Sequence, residues 1–190
     1  MSADRQIAVI GVGLMGHGIA LTFAKAGWHV TIADPSDEML RSAPDRIAES
    51  LRLLGASESE ASKAVDRVEP CDSVRAAVDG AACVFEAAPE RLALKQAIFA
   101  EAEEFAPADA TLASNTSVIR ITKIMEHLKS RRRALGTHWW NPPHMIPLVE
   151  IVKTEWTDPA VAEAMHDLLS EAGKAPVMVE RDVPGFIGNR

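Results

Sequence analysis

The sequence predicts an α/β fold, a mostly parallel sheet with helices on both faces. Short apolar, β-branched runs alternate with longer amphipathic runs along nearly the whole chain. A glycine-rich turn sits where the first strand passes into the first helix, and an acid closes the second strand. The 190 residues, 47% of them hydrophobic, suffice for one good-sized core and little more than one domain.

Gln6-Ile7-Ala8-Val9-Ile10 reads as a buried strand. The turn Gly11-Val12-Gly13-Leu14-Met15-Gly16 follows, and residues 14–27 read as a helix with Ile19, Phe23 and Ala26 on one face. Gly11 permits the tight turn, Gly13 lets the backbone approach a pyrophosphate, and Gly16 lets the helix pack close to the strand. The helix start offers free N–H groups to the phosphates. Residues 28–33 form the second strand and end at Asp34, 21 residues after Gly13. A carboxylate there accepts bonds from both adenosine ribose hydroxyls and repels a 2′-phosphate. No Arg follows it directly, so the expected cofactor is NAD rather than NADP. The alternative is that Asp34 merely caps the next helix, but the full strand–turn–helix–strand–acid order favours the nucleotide.

Ser36 caps a helix that Pro44 should end or kink, with Ile47, Leu51 and Leu54 resuming the apolar face beyond it. Gly55 marks a turn before a short helix to about residue 67. A strand over 68–71, a short helix over 72–78 and a strand over 82–87 come next. Leu94, Ile98, Ala102 and Phe105 share a helix face. Residues 110–114 form a strand ending in Asn115-Thr116-Ser117, and Ile121, Ile124, Met125 and Leu128 give another helix. Residues 133–138 form a strand. Gly11, Asp34, Glu90, Ser117 and His138 thus all follow strand ends, where such sheets bind their ligands.

The last third carries a Pro-rich, aromatic loop from Trp139 to Pro147, and then Leu148-Val149-Glu150-Ile151-Val152 reads as a returning strand. The return would place Glu150 beside His138. A buried Glu is expensive unless paired, and a carboxylate orients a His and stabilises its protonated form. Oxidation of an alcohol needs such a base, although a purely structural His–Glu bond fits the spacing equally well. Asp158-Pro159 opens a helix with Val161, Met165, Leu168 and Leu169, closed by Gly173, and residues 175–180 read as a last strand.

The formal charge of −7, without interleaved basic and aromatic residues, argues against a nucleic-acid partner. Arg131-Arg132-Arg133 reads as a solvated loop. No stretch is apolar enough for long enough to span a bilayer. Met1 to Arg5 lead directly into the first strand, so no signal peptide is expected, and the localisation expected is cytoplasmic. Cys71 and Cys83 form no ligand pattern, and no cluster of His, Cys and carboxylates suggests a metal. His17 should face solvent or cofactor, His144 the loop surface or substrate, and His29, His127 and His166 polar positions.

Taken together, these blocks resemble the L-3-hydroxyacyl-CoA dehydrogenases and their relatives. The resemblance rests on Gly11 to Gly16 with Gly18, Pro89-Glu90 with Lys95, Ser114-Asn115-Thr116-Ser117, Gly136-Thr137-His138-Trp139-Trp140-Asn141-Pro142, Leu148-Val149-Glu150, and the closing Pro184-Gly185-Phe186-Ile187-Gly188-Asn189-Arg190. It implies a Rossmann-like NAD-binding domain over 1–183, with 184–190 starting the connection to a C-terminal helical domain that is absent from this sequence. By the same resemblance His138 is the catalytic base, Glu150 its partner, and Ser117 and Asn189 bind the reacting oxygen. Gly11, Gly13, Leu14, Met15, Gly16, Asp34, Ala88, Pro89, Glu90, Lys95, Asn115, Ser117 and Asn141 would hold NAD. The implied partners are a small hydroxy acid or acyl-CoA substrate and, at full length, a second copy of the chain.

Two features depart from the acyl-CoA pattern. The loop Asn141-Pro142-Pro143-His144-Met145-Ile146-Pro147 lacks a Lys before Leu148-Val149-Glu150 and resembles relatives that oxidise free hydroxy acids, such as L-gulonate or carnitine dehydrogenase. The Ser-Asn-Thr-Ser turn points back to the acyl-CoA branch. A non-catalytic protein that keeps the NAD-binding fold is the alternative from another class.

Overall fold

Eight strands, β1 (Gln6–Ile10), β2 (His29–Ala33), β3 (Val68–Cys71), β4 (Cys83–Glu86), β5 (Thr111–Ser114), β6 (Ala134–Trp139), β7 (Leu148–Val152) and β8 (Ala175–Val179), form one sheet in the order β3-β2-β1-β4-β5-β6-β7-β8. Neighbours run parallel except β6 and β7. This computed structural model describes residues 6–189. The expectation about Met1 to Arg5, and Arg190 of the closing block, lie outside the described residues.

The chain winds outward from β1 through β2 to β3, then returns to β4 on the other side of β1. That reversal leaves a crevice beyond the carboxyl ends of β1 and β4. Strand residues alternate between two cores. Ile7, Val9 and Phe85 pack with Phe23 of α1 (Gly16–Lys25), Ile47 of α2 (Asp37–Leu53), Ala61 of α3 (Glu58–Val65) and Met165 of α7 (Pro159–Glu171). Ala8, Ile10 and Val84 pack on the other face with Ala77 of α4 (Val74–Val78), Phe99 of α5 (Leu92–Phe105) and Ile121 of α6 (Ile121–Ile124). Burial on both faces explains why the strands read as continuous apolar runs.

The glycine turn is fixed by contact. Gly11 has φ 89°, and a Cβ there would lie 2.9 Å from the Ala87–Ala88 backbone. A Cβ on Gly16 would lie 1.7 Å from the Gly11 carbonyl oxygen. Gly16→Ala must therefore push α1 off the sheet, at a cost of about 1–3 kcal/mol or more. The expected result is a lower urea midpoint with weakened NAD binding, and an unchanged midpoint would refute the close packing.

Three expectations need correction. Pro44 does not end α2, which runs through it with Ala43, Ile47 and Leu51 buried. Burying a large aliphatic chain contributes roughly 1.5–3 kcal/mol, and this face outweighs the about 3 kcal/mol cost of an interior Pro. Arg133 is buried rather than solvated, donating from Nη1 to the carbonyls of Pro107 (2.7 Å) and Ala110 (3.0 Å). On α5, Ile98, Ala102 and Phe105 meet the core as expected, but the most buried residues also include Lys95 and Phe99, while Ala26 of the first helical run is exposed.

Candidate functional site

A cleft of about 350 Å³ opens at the crevice, lined by Met15, Ala88, Asn115, His138, Trp140 and Asn189 among others. Glu90, Ser117 and Asn141 also line it. The sheet thus brings together residues that lie up to 174 positions apart in the chain, from Met15 to Asn189.

β6 and β7 pair antiparallel with His138 opposite Glu150. The His138 Nδ1 lies 2.6 Å from Glu150 Oε2, and both side chains are almost wholly buried. With the carboxylate on Nδ1, the ring proton belongs there, and Nε2 is left to accept a proton from a ligand. The other Glu150 oxygen accepts the backbone N–H groups of Ile187 (3.0 Å) and Gly188 (3.1 Å). Those two groups follow Phe186, whose φ of 52° is rare for an aromatic residue. Phe186 and Trp140 flank the imidazole, with ring centroids 5.6 and 5.2 Å from it. The Asp182 carboxylate anchors the closing segment by accepting the N–H groups of Ile121 (2.9 Å) and Thr122 (2.7 Å). Asn189 Nδ2 then donates to the Ser117 carbonyl at 3.1 Å, across the cleft from His138.

The opposite wall rests on buried charges. The Glu86 carboxylate, fully buried at the end of β4, accepts Lys95 Nζ (2.7 Å), Ala88 N–H (2.7 Å) and the Ser114 hydroxyl (2.6 Å). Lys95 Nζ also reaches the Ala88 carbonyl (3.2 Å) and Glu90 Oε2 (3.3 Å). Glu90 Oε1 accepts the Thr116 hydroxyl and the backbone N–H of Ser117 (3.2 Å) and Val118 (3.3 Å). Burial pushes the Glu86 carboxyl up, against the pull of Lys95. Burial acts the same way on Glu90, but the Thr116 hydroxyl and Lys95 outweigh it and hold that carboxyl low. Lys95 was expected at the nicotinamide. Its Nζ donates to Glu86 and the Ala88 carbonyl and ion-pairs with Glu90, behind the residues that line the cleft.

At the adenosine end, Asp34 Oδ2 accepts Val12 N–H and Oδ1 accepts Ser36 N–H, each at 2.9 Å. The cap of α2 is Ser36, whose hydroxyl accepts Met39 N–H, so capping is not what Asp34 is for. Each carboxylate oxygen keeps a further lone pair for a ribose hydroxyl. A Cβ on Gly13 would meet nothing within 4 Å, so the space over the turn is open to a pyrophosphate. Leu14 is exposed beside it, and Pro89 is exposed beyond β4. These features fit a dinucleotide. His17 is buried rather than facing solvent, with Nδ1 2.9 Å from the Gly13 carbonyl, and burial pushes its pKa down.

Sequence reasoning gave no role to Glu86, Ser114, Thr116 or Phe186, nor to the Ile187 and Gly188 N–H groups that Glu150 accepts. Among the described residues, no three His, Cys, Asp or Glu side chains gather as a metal site would need, and no helix is long and apolar enough to cross a membrane.

Residues 6–183 match the family model described as 3-hydroxyacyl-CoA dehydrogenase, NAD binding domain. The chain is 36% identical to 5-formyl-3-hydroxy-2-methylpyridine 4-carboxylate 5-dehydrogenase of Mesorhizobium japonicum, covering 98% of this chain and 60% of that protein. It is 35% identical to mitochondrial hydroxyacyl-coenzyme A dehydrogenase of Rattus norvegicus, covering 98% and 62% respectively. The crystal structure of 3-hydroxybutyryl-CoA dehydrogenase from Escherichia coli superposes with a TM-score of 0.93 at 36% identity, covering 100% of this chain and 40% of that one. The chain therefore spans about 60% of the length of the curated relatives described here. Its sheet is that of a Rossmann-like NAD-binding domain.

Proposed function

The chain belongs to the 3-hydroxyacyl-CoA dehydrogenase family, and from that premise we propose that it serves the NAD-dependent oxidation of a 3-hydroxyacyl-CoA, or a related 3-hydroxy acid, to the 3-oxo product. One observation carries the reading: His138, held by Glu150 at 2.6 Å, lines the same cleft as Asn115, Ser117 and Asn189.

The open turn at Gly11, Gly13, Leu14, Met15 and Gly16 holds the pyrophosphate, and Asp34 the adenosine ribose. Ala88, Pro89, Glu90, Asn115, Ser117 and Asn141 hold the nicotinamide half, with Lys95 supporting them from behind. Held there, NAD would supply the hydride acceptor for the carbinol carbon. His138 Nε2 takes the hydroxyl proton, and Glu150 offsets the charge that the imidazole gains. The N–H groups of Ile187 and Gly188 keep the carboxylate from swinging away. The Ser117 hydroxyl and Asn189 amide donate to the substrate oxygen, favouring the developing carbonyl.

A free hydroxy acid is the second reading. The loop before β7 carries no lysine of its own, and its Pro143 and Ile146 carbonyls take Lys174 Nζ from outside the loop. NADH formation across 3-hydroxyacyl-CoA, 3-hydroxybutyrate, L-gulonate and carnitine, with the full-length protein, separates the two. Turnover of none of them would defeat both.

The cofactor preference gives a further prediction. NAD should bind with clear preference over NADP, and Asp34→Ala should weaken NAD most while narrowing that preference. Titrating both nucleotides against both proteins measures it. Equal NADP affinity in the unaltered chain would remove Asp34 from the ribose.

A further inference from the structure

We propose that Glu86, through Lys95 and Ser114, is a positioning residue for the nicotinamide half of the cofactor: a buried acid that sets the distance between the two cleft walls. The inference rests on the placement of the nicotinamide proposed above, and names a residue which that reading does not use.

The geometry starts at the end of β4. Glu86 is 0% exposed and Lys95 1%. Glu86 Oε1 holds the Ala88 N–H while Lys95 Nζ holds the Ala88 carbonyl, so one residue of the first wall is gripped on both sides. Glu86 Oε2 takes the Ser114 hydroxyl on the neighbouring strand, one residue before Asn115 of the second wall. Lys95 also steers Glu90, whose other oxygen gathers the Thr116 hydroxyl and the N–H groups of Ser117, Val118 and Ile119. Ala88, Glu90, Asn115 and Ser117 all line the cleft. Every route from Glu86 therefore ends on a group that the nicotinamide half would meet.

A buried ion pair is a poor way to gain stability, since an apolar pair of similar volume often serves as well or better. Positional control is what such a pair adds here. A polar network with its bonds made is rigid, whereas an apolar replacement would leave the Ala88 peptide without both partners and Glu90 Oε2 without its cation. A misplacement of about 1 Å can cost on the order of 100-fold in a reaction that depends on alignment.

The test uses this chain, with NADH and ADP-ribose as probes, because ADP-ribose lacks the nicotinamide. Glu86→Gln strands the Lys95 charge and should lower the urea midpoint. Glu86→Gln with Lys95→Met removes both charges and should recover the midpoint. In that double variant NADH affinity should still be down by about tenfold or more, with ADP-ribose affinity unchanged. Asn115→Ala serves as the reference for the cleft and should also weaken NADH alone. Parallel loss of both ligands in the stable double variant would mean that the network only supports the fold, which overturns the proposal. Unaltered NADH binding in the double variant, with a loss in Asn115→Ala, overturns the proposal and leaves the nicotinamide placement standing. Unaltered NADH binding in both variants overturns the placement and the proposal with it.

Discussion

His138→Ala in the full-length protein should lower turnover by about 10²–10⁴-fold, the usual contribution of a general base, and leave NAD affinity nearly unchanged. The split follows from position. His138 sits at the end of β6 against Glu150, Trp140 and Phe186, whereas the adenosine and pyrophosphate contacts proposed above involve Asp34 and the glycine turn, at the ends of β2 and β1. Glu150→Gln should act in the same direction. An amide still bridges the ring, but it no longer offsets the imidazolium charge and can present its NH₂ to Nδ1, favouring the wrong tautomer. Stopped-flow turnover and NADH titration on the same preparations measure the two effects. Normal turnover in His138→Ala would dismiss the mechanism, and equal losses of turnover and cofactor affinity would make the pair structural.

The parts of this site legible in the sequence are those fixed by local chemistry. A turn that needs Gly11 and Gly16 announces itself, because a Cβ at either meets backbone. The His138–Glu150 pairing is legible because two apolar runs joined by a Pro-rich loop form antiparallel strands, and β-pairing then fixes the register. Long-range placement is what the sequence hides. Lys95, Phe99 and Ala102 fall on one helix face as well as Leu94, Ile98, Ala102 and Phe105 do, and apolarity alone favours the second set. Only the Glu86 carboxylate waiting at the end of β4 makes the lysine face the buried one. Arg133 is hidden for a similar reason: three like charges read as solvated until the carbonyls of Pro107 and Ala110 supply acceptors for the last. The N–H groups on Glu150 were out of reach because they depend on the left-handed backbone at Phe186, which no residue preference signals.

Residues 1–190 by themselves should bind NAD as tightly as a protein of the relatives' full length, yet turn substrate over orders of magnitude more slowly. The strands lie within residues 6–179 and both cores within residues 7–186, and the proposed cofactor contacts and the cleft-wall groups follow strands of the same sheet. Binding therefore needs nothing further from the chain. Turnover does, because holding the reacting atoms in near-attack geometry can account for roughly 7–11 kcal/mol of a barrier. On the substrate side, residues 1–190 offer the loop after β6 and Asn189, held to Ser117 by one hydrogen bond. Val118, Met145 and Ile187 are large apolar residues exposed on this chain. Large apolar side chains left in water favour association, so residues 1–190 should also self-associate with rising concentration. NADH titration, turnover and light scattering on the short and long forms decide the matter. Equal turnover would mean that the substrate site is complete within residues 1–190. Much weaker NAD binding by the short form would mean that the cofactor site extends beyond them.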